Sequence, residues 1–365
     1  MKNLYIIYCA VALSLLAGCK MTSSPSSEPV ADISGNKDWT SIAISDDGTK
    51  LAAVVWDGHI YTSSNSGKTW RDRSTVGSEI SGNKDWYSIA MSDDGQKLAA
   101  VVASGHIYTY SNSGATWTNR STSTGSEIAG DKYWISIAMS GNGEKLAAAD
   151  GDSSGGHIYT STDKGASWAR RTSAGNKTWT SIAMSDDGQK LAAVANNGHL
   201  YTSSNSGATW TNRSTAAGSV SVIGGNRNWR SIAMSDNGDE LAAVAYNGHL
   251  YTATKSGTTW TWTDRSTPTG SGIAGSKTWI SIAMSGNGEK LAAVVFGDHI
   301  YTSSNSGAKW TDLSIVPDSA IEGNRIWRSI AMSDNGDELA AVAYNGHLYT
   351  ATKSGTTWTW TDRSE

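Results

Sequence analysis

From about residue 34 to the C-terminus the chain repeats one rhythm of apolar runs and polar turns. In the first copy "WTSIAIS" (39–45) is apolar and β-branched, and "DDG" (46–48) interrupts it. "KLAAVV" (50–55) is a continuous apolar run, the pattern of a strand buried on both faces. "WDG" (56–58) turns the chain, "HIYTSS" (59–64) returns it, "NSG" (65–67) turns again and "TWRDRS" (69–74) closes the unit. Gly beside Asn or Asp supplies the positive φ that tight hairpins require. Apolar spacing at i, i+3, i+4 is absent, so each unit predicts four short antiparallel strands and no helix.

The unit recurs seven times. Aligned on the Trp before "SIA", the copies start at Trp39, Trp86, Trp134, Trp179, Trp229, Trp279 and Trp327, with spacings of 47, 48, 45, 50, 50 and 48 residues. A period of that size marks a repeat array. Residues 323–364 nearly duplicate 225–265, the trace of a recent duplication. The expected fold is all-β: a seven-bladed β-propeller of four-stranded antiparallel blades over 34–365, in which each blade is covered on both faces and the closed ring leaves only short edges. A linear β-solenoid is the structural alternative, although its coils are usually shorter and no capping unit ends the chain.

The N-terminus has a different pattern. Lys2 precedes an apolar run from Leu4 to Leu16 that is short for a membrane span of about 20 residues. The run ends in Leu16-Ala17-Gly18-Cys19, so residues 1–18 read as a signal peptide. Leu-Ala-Gly-Cys resembles the bacterial lipobox, which implies cleavage before Cys19 and lipidation of its thiol; an ordinary signal peptide with a chance cysteine is the other reading. The implied location is the bacterial cell envelope, lipid-anchored. Lys20 after Cys19 points to the outer membrane or cell surface by the enteric sorting rule. Residues 19–33 are Ser/Pro-rich and read as a tether. Cys9 leaves with the leader and Cys19 carries lipid, so no cysteine remains for a disulfide and packing must supply the stability. The formal charge of −4, or −5 once Lys2 is gone, gives no basic excess for nucleic acid.

The third turn carries a resemblance. Ser63-x-Asn65-x-Gly67-x-Thr69-Trp70 resembles the Asp-box, or BNR repeat, of the sialidase-like propeller superfamily. The same form stands at Ser161, Asp163, Gly165 and Trp168, at Ser203, Asn205, Gly207 and Trp210, and at Ser303, Asn305, Gly307 and Trp310, the last with Lys309 in place of Thr. Tyr110 in copy two, and Lys255 and Lys353 in copies five and seven, depart from it. The resemblance implies a structural turn away from the ligand-binding face, and a fold shared by sialidases, sortilin-type receptors, xyloglucanases and photosystem assembly factors. It does not imply one function.

In an up-and-down blade the Asp-boxes and "DDG" turns share one rim, and "GNKDW" and "WDGH" share the other. On that second rim all seven histidines occupy one repeat position: His59, His106, His157, His199, His249, His299 and His347. A cation precedes each repeat Trp: Lys37, Lys84, Lys132, Lys177, Arg227, Lys277 and Arg325. With Asn36 and Trp39 these are the candidate ligand-binding residues, since polar groups reach sugar hydroxyls while an aromatic face covers C–H surface. Each has a bland reading as well: the His as a backbone partner, the Trp as inter-blade packing, the cations as solvated. Sheets about 10 Å apart cannot share a metal whose bonds are about 2 Å long. The longer third-copy loop offers Asp150 and Asp152 as a weak calcium candidate. Trp262 and Trp360, two residues beyond the box Trp, are candidate sugar platforms or edge protection.

Nothing in the sequence assembles an enzyme or calls for a cofactor. None of the four prolines follows Arg-Ile, as the sialidase Arg-Ile-Pro segment requires, and no nucleophile elbow or unique His exists. Near-identical copies do not provide the two differentiated carboxylates of a glycosidase. The expectation is a monomeric, non-catalytic binding module, lectin-like through several weak sites or, alternatively, a protein-interaction scaffold of the envelope.

Overall fold

Alanine and valine dominate the second strand of every unit because it has no exposed face. In the first blade, β1 (Trp39–Ile44), β2 (Leu51–Val55), β3 (Ile60–Ser63) and β4 (Arg71–Asp72) pair in sequence order as an antiparallel meander, and every residue of β2 is buried. The computed structural model repeats this seven times; it describes residues 29–75, 78–111, 116–122, 126–215, 222–267, 270–315 and 319–365. The expected signal peptide, Cys19 and the tether up to residue 28 lie outside the described residues. Ala31 N–H donates to the Trp70 carbonyl at 2.7 Å and Ile33 is buried against the first blade, so the folded domain starts a few residues before the expected boundary at 34.

The blades form a closed ring, which excludes the solenoid. Each apolar cluster straddles an interface: Ala52, Val54 and Ile60 of blade one pack on Trp86, Ile89 and Leu98 of blade two, and Ala340, Val342 and Leu348 of blade seven pack on Trp39, Ile42 and Leu51 of blade one. Each repeat Trp is 0–1% exposed and meets the Tyr of its own third strand edge-on, with ring centroids 5.2–5.7 Å apart.

Two rings of hydrogen bonds run around the axis. On the inner strands each Ser after the Trp accepts the Ile amide of the adjacent blade, from Ser41 and Ile89 round to Ser329 and Ile42, at 3.2–3.4 Å. At the "DDG" rim the backbone closes on itself: Asp46 N–H donates to Asp93 O, and onward through Gly141, Asp186, Asp236, Gly286 and Asp334 back to Asp46, at 2.9–3.1 Å.

Among the described residues the outer turns of six blades take two forms. In blades one, three, four and six a Ser hydroxyl accepts the Gly amide and donates to the Asx oxygen, which accepts the amide four residues on, and the Trp Nε1 donates to the Gly carbonyl at 3.0 Å. Lys309 fits because only its amide is needed. Blades five and seven replace this turn with a tight hairpin, Ser256 opposite Thr259 and Ser354 opposite Thr357, on strands of six and seven residues. Trp262 and Trp360 there are buried at 6% and 9% exposure, which corrects their reading as sugar platforms. Ser66 N–H donates to Thr49 O at 2.8 Å, joining the third turn to the first on one rim. The arginines of "DRS" and "NRS", and Arg171 of blade three, brace the blade edge, Nε to a third-strand Thr hydroxyl at 2.6–2.7 Å.

The amide ring crowds five carboxylates. Burial, then the charges of Asp334 and Asp186, pushes Asp46 up to about 6; burial, then the charges of Asp186 and Asp46, pushes Asp93 up to about 7. Asp186 and Asp236 move upward for the same reasons, and Asp236 shares a hydrogen bond with Asp334. Copies three and six carry Gly at this position, where a Cβ on Gly141 would overlap Asp93, and one on Gly286 would overlap Asp236 and Asp334. The two glycines are gaps in a ring too narrow for seven carboxylates.

A carboxylate whose folded pKa lies above its unfolded value stabilises the fold below that range and loses the contribution as pH rises through the folded value. Asp47 is held low by the Ser45 hydroxyl and the Thr49 amide, so its contribution disappears as pH falls below about 4. Thermal midpoints are therefore expected to climb as pH drops from 8 to about 5 and then to fall. A combined Asp46→Asn, Asp93→Asn, Asp236→Asn variant should lose most of the slope between pH 5 and 8, Asp186 keeping the remainder; a slope identical to wild type would contradict the assignment.

Gly286→Asp, which restores the residue found in five other copies, should destabilise by about 1–3 kcal/mol in chemical denaturation through overpacking, more at pH 8 than at pH 5.

Candidate functional site

Every inner strand contains a bulge one residue after its buried Trp. The register skips between Trp39 and Ser41, and likewise at Thr180, Arg230, Ile280 and their counterparts in the other blades. A bulge leaves one residue without a partner and re-aims its side chain. The bulged residues are Thr40, Tyr87, Ile135, Thr180, Arg230, Ile280 and Arg328, and all seven line the axial channel. They take four identities, Thr, Tyr, Ile and Arg, although "SIA" follows in every copy.

Towards the rim opposite the amide ring the channel widens into a funnel of about 930 Å³, above a narrower stretch of about 350 Å³. Residues of the turn after the second strand complete its wall, among them Asn196, Tyr246 and Phe296, together with Tyr133 and Asn228 from the incoming links. Trp56 and Tyr344 line the deeper stretch. Tyr133, Tyr246, Phe296 and Tyr344 are 37–40% exposed, and Phe296 is the only Phe in the chain. Arg328 lies over the Tyr344 ring at 4.8 Å and the Phe296 ring at 5.9 Å.

The residues singled out from the sequence share this rim but stand outside the funnel. Trp39 is 0% exposed and offers no face to a ligand, which corrects its assignment as a binding residue. The histidines are tied to the outer strand: Nδ1 of His59, His249, His299 and His347 lies 2.6–2.7 Å from Asp72, Asp264, Asp312 and Asp362, and that of His106 and His199 lies 2.7–2.9 Å from Asn119 and Asn212. Blade three has Arg170 at that position, and burial with the Arg170 charge lowers the His157 pKa.

The cations are held too. Lys84, Lys132, Lys177, Arg227, Lys277 and Arg325 lie 4.9–6.0 Å from the third-strand Tyr ring, and Lys37 Nζ donates to Ser34 O at 3.0 Å. Their backbones pair with the Gly of the preceding blade's turn, or in Arg325 with Asp298, so the segment seals each interface. Asn36 is exposed outside the funnel lining.

The Asp150 and Asp152 carboxylates are engaged by their own loop. Asp150 Oδ1 accepts the Asp152 amide at 3.1 Å, and Asp152 Oδ1 accepts the amide and hydroxyl of Ser154, both at 2.8 Å. Among the described residues no group of three or more His, Cys, Asp or Glu is arranged to hold a metal. The longer loop instead leans Asp152 and Ser153 into the funnel wall.

Sequence reasoning missed the bulge residues because it sought chemistry in what recurs. The usable signal was the one variable position between Trp and "SIA", reading T, Y, I, T, R, I, R.

His249→Ala should cost about 1–3 kcal/mol in urea unfolding, because the Asp264 carboxylate loses a partly buried partner. A change under about 0.5 kcal/mol would show the bond to be dispensable.

No family model matches the chain, and no curated protein matches it. Among solved structures it is similar to the β-propeller domain of Cps50 (Swd1) from Myceliophteria thermophila, with 14% identity and a TM-score of 0.60 over 85% of this chain and 93% of that one. It is also similar to YCF48 bound to D1 peptide, with 13% identity and a TM-score of 0.62 over 90% and 97% of the two chains. An ancestral GH74 enzyme is 15% identical with a TM-score of 0.64, over 92% of this chain and 47% of that one. At such identities the likeness carries the fold alone: this chain is a β-propeller.

Proposed function

We propose that the chain is a non-catalytic binding module of the bacterial cell envelope, lipid-anchored through Cys19, that seats a saccharide in its funnel. The observation that carries the reading is the bulge ring: seven positions aimed into one cavity, and varied while their neighbours repeat. Half-exposed aromatic faces beside Asn196, Asn228, Thr178 and Thr180 match the mixture of C–H faces and hydroxyls on a sugar ring. Asp152 is the only carboxylate residue lining the funnel among the described residues, whereas glycoside hydrolysis uses two. The outer turns of four blades support grouping the chain with Asp-box propellers.

A second reading, a scaffold that docks a protein segment, has its own observation. Tyr246, Phe296, Ile326 and Tyr344 place an exposed apolar patch on blades five to seven, and the similarly folded YCF48 has been solved with D1 peptide bound.

A glycan array probed with the soluble chain starting at Met21 separates the two. Binding is expected to be lost in Tyr133→Ala/Tyr246→Ala and kept in Lys37→Ala/His59→Ala. Loss in the second variant alone would return the site to the outer rim. Silence on every glycan, with one stoichiometric envelope partner that depends on Phe296, would establish the scaffold.

A further inference from the structure

We infer that the funnel takes an anionic saccharide, its negative group clasped between Arg230 and Arg328. The inference rests on the funnel being the ligand seat and adds the chemical class of the ligand. Both arginines occupy bulge positions, on blades five and seven, and both line the upper funnel and the stretch below it. Neither forms an ion pair among the described residues, unlike Lys97, Lys190, Lys277 and Lys290, which meet Glu144, Asp239, Asp298 and Asp337.

The Arg328 guanidinium is covered by the Tyr344 and Phe296 rings, and its Nε is buried without a hydrogen-bond partner. Asp152, the one acid in the funnel wall, already accepts two bonds from Ser154. Two guanidinium forks facing one cavity, whose one lining acid among the described residues is engaged by Ser154, match a carboxylate or sulfate bidentately. The neighbouring aromatic faces and amides then read the ring that bears it. The described carboxylates of the axis, Asp46, Asp93, Asp186, Asp236 and Asp334, gather at the opposite end, at the amide ring.

The test is titration calorimetry of the soluble chain with oligogalacturonate, its methyl ester, and a sulfated galactose oligomer. The acid should bind at least tenfold more tightly than the ester, a difference of about 1.4 kcal/mol. Arg230→Gln and Arg328→Gln should each lose at least tenfold, and Arg328→Lys should recover part of the loss. Tyr246→Ala should weaken acid and ester by the same factor. Binding of the sulfated oligomer as tight as that of the acid identifies a general anion clasp, and weaker binding identifies a carboxylate site.

Acid and ester binding equally, or either Gln variant binding undiminished at an unchanged melting temperature, overturns the inference. So does the binding of neutral glycans alone, which leaves the funnel as a ligand seat. Failure of every saccharide on both the array and the calorimeter removes the saccharide reading as well.

Discussion

Closure without strand exchange is the constraint on which the structure depends. Blade one is made wholly of N-terminal strands and blade seven wholly of C-terminal ones, so no shared sheet locks the ring. The seventh interface must hold by the same bonds as the other six. It does: Ser329 accepts Ile42 N–H, Asp334 N–H meets Asp46 O, Lys37 pairs with Gly346, and Arg363 donates to Ser66 O. One poorly matched blade would leave a row of inner-strand groups unpaired at the axis, where a missing bond costs more than at the surface.

That constraint sorts the side chains by what they face. Positions between blades repeat because each must fit the same partner: the Trp, the Ser beneath it, "LAAV", and the isoleucines of the links, such as Ile80, Ile128 and Ile273 at 0% exposure. Positions facing the axis border the lumen on one side, although Thr40 and Thr180 still donate to Trp86 O and Trp229 O of the next blade. They are free to differ where the channel is wide, and limited where it is narrow. The amide ring shows the limit, since two of its seven positions are glycine where a sixth or seventh carboxylate would collide with its neighbours.

The axis consequently changes character along its length. Arginine and aromatic rings line the wide mouth, a belt of serines holds the waist, and crowded aspartates close the far end. Such a gradient gives an entering ligand a preferred direction as well as a place to stop.

The repeat period, the alternation of apolar runs with Asx-Gly turns and the buried "LAAVV" strand were legible in residues alone, because local pairing and two-sided burial leave a direct imprint on composition. Which Trp, His and Lys touch solvent was not legible. Trp39 and His59 stood open between a ligand-binding and a packing or hydrogen-bonding reading, and Tyr61 and Asp72, which become neighbours only when strands three and four fold back, decide for the second. The funnel was further from reach. A bulge is a property of two strands in register, so no stretch of one strand announces that Arg230 and Arg328 turn inward. Sequence by itself determined the blade and how often it recurs. Ring closure alone decided which seven side chains meet, because they come from positions about 47 residues apart that share nothing until the last blade packs on the first.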